Sequence, residues 1–340
     1  MKAVRFHAHG GPEVLCYEDA PDPVLAPGDA LVRVGAVGLN HLDLFQRRGM
    51  ERVKIPFPHI SGADVAGTVV DAPAGTFAPG QRVMVQPGLS CGRCPRCLEG
   101  RDNECPRYDV LGYRGDGGYA ELVGVPVQNL IALPDAIGLV EAAAFPLTFL
   151  TAWHMLLTRA ALQSGDVVLV IGAGSGVGQA AVQIARLHGG RVIATAGSVE
   201  KLSRARALGA FEAVNHATED VPAFVKRVTD GRGVDVVVEH AGTATWDASV
   251  KCLSRGGRLV TCGATTGHDA RIDLRFLFGR QLSLLGSYMG RKGELIRAAE
   301  HFYRGELAPV VDSTYALPDA AEAHRRLESR KAFGKIVLTP

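Results

Sequence analysis

Apolar residues follow one pattern in the first part of the chain and another beyond it. Up to residue ~135, short apolar runs lie between glycines and prolines, a pattern typical of short strands joined by many turns. The clearest runs cover residues 31–37, 65–70, 82–86 and 119–123. This part of the chain is therefore predicted to form a barrel-like β domain with many loops.

The second pattern begins near residue 139 with an apolar helical stretch at 142–144 and 149–162. Runs rich in valine and isoleucine then alternate with helical segments, which predicts a parallel sheet covered by helices on both faces. The predicted strands cover residues 167–171, 191–195, 213–215, 234–239, 258–261 and 282–286. The predicted helices cover residues 176–187, 200–208, 222–229, 294–302 and 320–330, and a strand at 335–339 closes the chain.

Composition narrows the possible functions. A length of 340 residues exceeds one typical hydrophobic core, which favours two domains. The net charge is +2 and the basic residues are dispersed, so neither nucleic acid nor a membrane surface is expected as a partner. No signal peptide and no run of ~18 apolar residues is found. We therefore expect a cytoplasmic protein that acts on a small molecule.

A glycine-rich turn lies between the first predicted parallel strand and its helix. Glycines let the backbone approach a pyrophosphate, and the helix N-terminus supplies N–H donors and positive partial charge. A second strand follows about 20 residues later, as a dinucleotide-binding unit requires. The turn therefore predicts a Rossmann domain that binds a nicotinamide cofactor through Gly172, Gly174, Ser175, Gly176, Val177 and Gly178. We also assign Gly263, just after the strand at 258–261, to this site.

The end of the second strand indicates which nicotinamide cofactor is bound. An NAD-selective site places an acid there to bind the ribose 2′-hydroxyl, but no carboxylate occurs before Glu200. Ser198, Lys201 and Arg204 follow instead, and a hydroxyl with two cations suits the 2′-phosphate of NADP. The alternative is that both cations are merely solvated helix residues, so NADP is preferred and NAD stays open.

Four of the seven cysteines are crowded into one loop: Cys91, Cys94, Cys97 and Cys105. Four thiolates bind zinc tetrahedrally and leave no open position for a substrate. The spacing therefore predicts one structural zinc ion. Arg93, Arg96 and Arg101 would offset the negative charge of this site.

These motifs together resemble the medium-chain dehydrogenase/reductase superfamily, which includes zinc alcohol dehydrogenases and quinone oxidoreductases. The resemblance covers nearly the whole chain and includes the segments at 37–43 and 62–67. It implies a GroES-like domain at 1–138, completed by 289–340, beside a Rossmann domain at 139–288, with the active site in the cleft between them. It also implies a homodimer or homotetramer formed through an edge strand at 282–289.

The resemblance fails at the catalytic zinc. Its three ligand positions hold Asn40, Ala63 and Leu147, none of which is a good zinc ligand. The proton-relay positions hold Leu42 and Phe45. His41 matches a position that contacts the cofactor pyrophosphate, whereas His59 is interpreted as a loop or core histidine.

Direct hydride attack on a carbonyl is easy when a metal ion polarises the carbonyl oxygen. Without a catalytic zinc, hydride addition to a conjugated C=C bond is favoured, because hydrogen-bond donors can stabilise the enolate oxygen. Asn40 resembles the asparagine of quinone and enone reductases and would hold the substrate oxygen or the nicotinamide carboxamide. Asp43 and Asp64 complete the predicted catalytic residues, and Phe45, Leu147 and Tyr288 would favour an apolar substrate. The sequence therefore predicts an NADPH-dependent reductase of quinones or α,β-unsaturated carbonyls. An alcohol dehydrogenase and a non-catalytic NADPH-binding protein are the alternatives.

Overall fold

A computed structural model describes residues 1–50 and 53–340 of the chain. They form two compact units, one made of Met1–Leu147 with Arg291–Pro340 and the other of Thr148–Gly290. The domain boundary was predicted after residue 138, whereas this division lies after Leu147. The difference arises because the helix at Leu139–Ala144 packs on strands of the first unit. None of the described helices is long and apolar enough to cross a membrane.

The strands follow one another along the described residues as β1 (Lys2–Arg5), β2 (Cys16–Asp19), β3 (Asp29–Gly38), β4 (Asp64–Asp71), β5 (Arg82–Val85), β6 (Gly88–Leu89), β7 (Asp109–Val110), β8 (Leu122–Pro126), β9 (Leu130–Ala132), β10 (Val167–Val170), β11 (Arg191–Ala196), β12 (Glu212–Asn215), β13 (Val234–Glu239), β14 (Leu253–Thr261), β15 (Ser283–Gly286), β16 (Val311–Ala316) and β17 (Lys335–Thr339). The α-helices are α1 (His41–Arg48), α2 (Pro95–Leu98), α3 (Leu139–Ala144), α4 (Pro146–Trp153), α5 (Gly176–Leu187), α6 (Val199–Ala207), α7 (Val221–Val228), α8 (Thr243–Cys252), α9 (Leu274–Gly279), α10 (Lys292–Tyr303) and α11 (Ala320–Glu328).

The first unit is built on a mostly antiparallel sheet in the order β16-β17-β3-β4-β5-β9, with β8 also paired to β3. Along β3, buried positions alternate with partly exposed ones until both faces are covered near Gly38. The last strand, β17, pairs with the end of β3 through Val337–Gly38 and Leu338–Val37. Residues from both ends of the sequence are thus placed side by side where β3 leads into α1.

The second unit is a parallel sheet in the order β12-β11-β10-β13-β14-β15. This is the strand order of a doubly wound dinucleotide-binding fold, in which the order reverses between β10 and β13. The residues of β10, Val167–Val170, are all buried, because helices cover both faces of the sheet. The predicted α/β class, with a Rossmann sheet in one unit and a mostly antiparallel sheet in the other, is confirmed.

The prediction of one long apolar helix over residues 149–162 is wrong in detail. α4 begins at Pro146. Because proline has no backbone N–H, the helical hydrogen bonds of α3 do not continue into α4 through this residue. α4 then passes into a π-helical turn over His154–Arg159. The helices α1 and α8 were not predicted from the sequence.

Candidate functional site

The cysteine loop joins β6 to β7. The four Sγ atoms all lie within 4.8 Å of one another, with Cys91–Cys97 at 3.9 Å and Cys94–Cys97 at 3.5 Å. Thiolates around a tetrahedral zinc ion lie roughly 3.8 Å apart, since each Zn–S bond is about 2.3 Å. The cluster therefore fits a structural zinc after small shifts of the thiols.

The charge around this cluster is arranged differently from the prediction. Arg96 and Arg101 pair with Glu99 and Glu104, so their charges are already balanced. Arg107 instead faces the thiols, and its pKa is raised chiefly by its hydrogen bond to Cys91. Arg107 is thus a cation of the zinc loop that sequence reasoning missed, although it lies only two positions after Cys105.

The glycine-rich turn joins β10 to α5 and lies at the carboxyl end of the sheet. Gly172 has a φ of 61°, and a Cβ at Gly178 would lie 2.3 Å from the Gly172 carbonyl oxygen, so both positions require glycine. The hydroxyl of Ser175 caps α5 by accepting the Gly178 N–H at 2.8 Å. Gly174 precedes this cap, and Gly176 and Val177 begin α5, whose free N–H groups suit a pyrophosphate.

Loops after β13 and β14 lie beside the same turn. Ser175 Oγ is 3.2 Å from His240 Nε2, and His240 directly follows β13. A Cβ at Gly263 would lie 2.9 Å from the His240 carbonyl oxygen, so its backbone packs closely against that loop. The structure therefore brings Gly263 close to the glycine-rich turn. His41 lies in the other unit, exposed at the first position of α1.

The 2′-phosphate candidates lie where β11 and β12 end side by side, with Ala196 opposite Asn215. Ser198 caps α6, its hydroxyl accepting the Lys201 N–H at 3.3 Å. Lys201 and Arg204 are half-buried on the first turns of α6.

His216, directly after β12, is a residue of this region that the sequence analysis missed. Its Nε2 lies 3.2 Å from the position that a Cβ would take at Gly197. Thr195 Oγ1 accepts the Gly172 N–H at 3.0 Å and lies 3.4 Å from His216 Nδ1. The pKa of His216 is lowered, first by burial and then by the charge of Lys201.

In the first unit, the predicted residues Asn40 and Asp64 meet around a buried lysine. Lys335 Nζ donates to Asn40 Oδ1 at 2.7 Å and to Asp64 Oδ2 at 2.8 Å. The Asn40 amide nitrogen donates to Asp64 Oδ2 at 3.0 Å and to the Gly38 carbonyl at 3.3 Å. The Leu147 N–H donates to the other oxygen of Asp64 at 2.7 Å. Asp64 is fully buried and Lys335 is 2% exposed, so solvent screens this pair little.

Asp43 adjoins this cluster through the backbone of Asn40, whose N–H donates to Asp43 Oδ2 at 2.7 Å. The Tyr119 hydroxyl donates to the same oxygen at 3.0 Å. Burial raises the pKa of Asp43 to about 6, and its Oδ1 has no partner among the described residues.

Behind Tyr119 the hydrogen bonds continue in one direction. Arg47 Nη1 lies 3.3 Å from His324 Nδ1, and His324 Nε2 lies 3.3 Å from the Tyr119 hydroxyl. Because an arginine can only donate, Nδ1 accepts and the proton of His324 lies on Nε2. Burial lowers the pKa of His324 to about 3, so the ring is neutral at pH 7. The donors therefore all point from Arg47 towards Asp43.

The chain is similar to known proteins over its whole length. Residues 26–135 match the alcohol dehydrogenase GroES-like domain, and residues 176–304 match the zinc-binding dehydrogenase family. A quinone oxidoreductase of Pseudomonas aeruginosa is 32% identical, with 100% of this chain and 99% of the relative covered. The chain belongs to the medium-chain dehydrogenase/reductase superfamily. It is an oxidoreductase, as predicted.

Two solved structures of this superfamily cover the whole chain and differ in their described activities. A protein described as an NAD-dependent alcohol dehydrogenase is 48% identical with a TM-score of 0.96 and is itself covered completely. A crotonyl-CoA carboxylase/reductase is 26% identical with a TM-score of 0.93, and 88% of that chain is covered. These relatives thus establish the superfamily for this chain.

The three residues that the sequence analysis assigned to catalytic-zinc positions, Asn40, Ala63 and Leu147, are linked through Asp64. Asp64 follows Ala63, bonds to Asn40 and accepts the N–H of Leu147. An amide, a methyl group and an aliphatic chain do not form a zinc-ligand set. Within residues 1–50 and 53–340, the only group of three or more potential metal-ligating side chains is the cysteine cluster.

His59 agrees with its interpretation as a core histidine. It is fully buried, stacks edge-on against Phe6 and approaches the Gly112 carbonyl at 3.1 Å. Burial lowers its pKa.

Proposed function

We propose that this chain reduces the C=C bond of quinones or α,β-unsaturated carbonyl compounds with NADPH. The observation that carries the proposal is the buried cluster of Asn40, Asp64 and Lys335, in which Asn40 occupies a position assigned to a catalytic zinc ligand. The cluster offers the amide N–H groups of Asn40, held in place by the ion pair of Asp64 and Lys335. Such groups suit the developing negative charge on an enolate oxygen.

In the proposed reaction, NADPH held at the glycine-rich turn would supply a hydride for the β-carbon of the substrate, with NADP⁺ as the oxidised product. The electron pair of the C=C bond moves towards the carbonyl oxygen, giving an enolate. A proton from solvent then adds to the α-carbon, so that one hydride and one proton complete the reduction. The Asn40 amide would hold the substrate oxygen by giving up its long 3.3 Å bond to Gly38.

The preference for NADPH is supported by the groups around the end of β11. Ser198 caps α6, Lys201 and Arg204 lie on that helix, and the Nε2 atom of His216 lies beside Gly197. The described structure shows no carboxylate among the residues from Ala196 to Val199 that could bind a 2′-hydroxyl. The names of two similar proteins support the proposed reduction, since one is a quinone oxidoreductase and the other a crotonyl-CoA carboxylase/reductase.

The proposal is tested by following NADPH oxidation with a panel of small quinones and enones. Turnover of at least one member is expected, and the Asn40→Ala variant should lose roughly a hundredfold in kcat, because one donor to the developing oxyanion is removed. Protein that binds NADPH but turns over no member would contradict the proposal. Full activity of Asn40→Ala would exclude that residue from the mechanism.

An alcohol dehydrogenase is the second candidate, because the 48% identical structure carries that description. This function would require a second metal site besides the cysteine cluster. Elemental analysis of protein never exposed to chelator is expected to give about one zinc per chain. Two zinc ions per chain together with alcohol oxidation would favour the second candidate instead.

A further inference from the structure

The glycine-rich turn of the second unit carries no positive charge of its own, since residues 171–178 include no lysine and no arginine. A pyrophosphate bound at the start of α5 therefore meets N–H groups and the helix dipole, but no cationic side chain of this turn. The side chain of His240, which was not predicted from the sequence, lies against the turn and is half-buried.

The ring of His240 extends from the first glycine of the turn to the residue that caps α5. Its Cε1 lies 3.3 Å from the position that a Cβ would take at Gly172. Its Nε2 lies 3.2 Å from the hydroxyl oxygen of Ser175. That oxygen already accepts the Gly178 N–H at 2.8 Å. Because a hydroxyl accepts two hydrogen bonds and donates one, Ser175 can accept another from the ring and still donate its own proton.

The backbone on both sides holds His240 in this place. A Cβ at Gly263 would lie 2.9 Å from the His240 carbonyl oxygen, so the loop after β14 packs closely on it. The carboxylate of Glu239 accepts the N–H groups of Ala241 at 2.6 Å and Gly242 at 3.1 Å. Two hydroxyls of α8 donate to its other oxygen at 2.8 and 2.7 Å. The segment around His240 is thus fixed by the protein itself.

The charges that face the ring come from three segments: the turn after β10, the end of β13 and the loop after β14. Besides His240, their titratable groups are Glu239 and Cys262. Burial lowers the pKa of His240, and the charge of Glu239 opposes this lowering. Burial raises the pKa of the Cys262 thiol to about 12, so it stays neutral. The ring is therefore neutral near pH 7, and an anion placed beside it favours its protonated form.

We propose that His240 is a positioning residue for the cofactor pyrophosphate and takes up one proton from solvent when the dinucleotide binds. A protonated imidazole has an N–H on both nitrogens, so Nε2 donates to the Ser175 oxygen. The Ser175 hydroxyl then donates its own proton to a phosphate oxygen. His240 thus supplies the positive charge that the turn lacks. The proposal rests on the proposed function only in that the chain binds a nicotinamide dinucleotide.

Calorimetric titration with NADH at pH 6.5, in two buffers of different ionisation enthalpy, counts the protons taken up on binding. NADH is the probe because it has the pyrophosphate but no 2′-phosphate, a group that itself titrates near this pH. We expect His240→Gln to take up at least about half a proton less than the wild type, because glutamine can still bond to Ser175 but does not titrate. His268→Gln, at an exposed histidine of the same unit, is the matched control and should equal the wild type.

The Kd for NADH gives a second measure of the same proton. A group whose pKa rises on binding strengthens binding at low pH, and this gain is lost as the pH rises through the pKa of the bound form. Between pH 8 and pH 6, the Kd of the wild type should therefore fall about tenfold more than the Kd of His240→Gln. Equal proton uptake and equal pH dependence in these two proteins would overturn the proposal.

Ser175→Ala tests the route through the hydroxyl and keeps the histidine in place. We expect proton uptake to decrease, because the N–H of the protonated ring loses its acceptor. Unchanged uptake would contradict this route, and this variant decides the question if His240→Gln does not fold. No substrate is needed in any of these measurements. Lack of turnover would therefore contradict only the proposed function, whereas NADH binding without the His240-dependent proton would contradict only this inference.

Discussion

Asp43 is the predicted catalytic residue whose titration the structure perturbs most clearly. Burial raises its pKa from 3.8 to about 6, against the opposing effects of the Asn40 N–H, Lys335 and the Tyr119 hydroxyl. The folded protein therefore keeps a proton on Asp43 at pH values where the unfolded chain has lost it. Stability from this group is complete below about pH 4 and declines as the pH rises towards 6.

Asp43→Asn is expected to remove this decline. An asparagine can still accept the bonds from Asn40 and Tyr119 and stays neutral at every pH. Relative to wild type, the variant should gain up to about 3 kcal/mol in unfolding free energy between pH 4 and pH 7. Denaturant unfolding of both proteins at the two pH values measures the difference.

Asp135→Asn is the control for this comparison, since it removes one charge from an exposed position of the same unit. A difference between Asp43→Asn and wild type that is the same at both pH values would show that Asp43 is not protonated in the folded state.

Only some residues of the candidate site in the first unit could be predicted from the sequence. Asn40, Asp43 and Asp64 were predicted because they lie in short motifs near one another in the chain. Lys335, Tyr119 and His324 were missed because strand pairing and side-chain packing bring them to the site from distant segments. A buried lysine in a short C-terminal strand has no local pattern that distinguishes it from a solvated one.

At the scale of the elements, the proposed preference for NADPH depends on the junction of β11, β12 and α6. Ser198 both caps α6 and faces the region assigned to the 2′-phosphate. Aspartate caps a helix about as well as serine does, so a carboxylate can be introduced there without weakening the helix. A substitution at residue 198 can therefore change the preference between NADPH and NADH without changing the stability of the protein.

Ser198→Asp is expected to weaken NADPH binding roughly ten- to a hundredfold and to strengthen NADH binding, because a carboxylate repels a 2′-phosphate and accepts a 2′-hydroxyl. Fluorescence titration with both nucleotides gives the two Kd values, and the melting temperature should not change. Ser203→Asp adds the same charge at an exposed position further along α6. If both variants weaken NADPH equally, the effect is general repulsion and the assigned site is wrong.

The strands of the parallel sheet were predictable because most of them contain a short apolar run, such as Val167–Val170 in β10. The helices α1 and α8 were not, since α1 has charged residues on several sides and α8 mixes small and polar residues. His216 follows a strand of only four residues, so its position beside Gly197 depends on the strand order, which the sequence does not state.

At the scale of the whole molecule, β15 is the edge strand of the parallel sheet, as predicted for the segment at 282–289. An unpaired strand edge offers N–H and C=O groups to a second copy of the same strand. We expect the protein to be a dimer or tetramer by light scattering. A Leu284→Pro variant should dissociate the assembly, because proline removes one donor of the strand. A clean monomer for the wild type would refute this expectation.

The pairing of β17 with β3 has a consequence for synthesis on the ribosome. The unit Thr148–Gly290 is continuous and can fold as soon as it has emerged, whereas the other unit needs residues from both ends of the sequence. At typical translation rates, roughly 15–60 s separate the emergence of β3 from that of β17. During that interval the end of β3 is an open edge, and the anionic Asp64 has no ammonium partner. A nascent chain that stops before Lys335 thus lacks a strand and a counter-ion together, which makes premature termination a way of producing an inactive, aggregation-prone fragment.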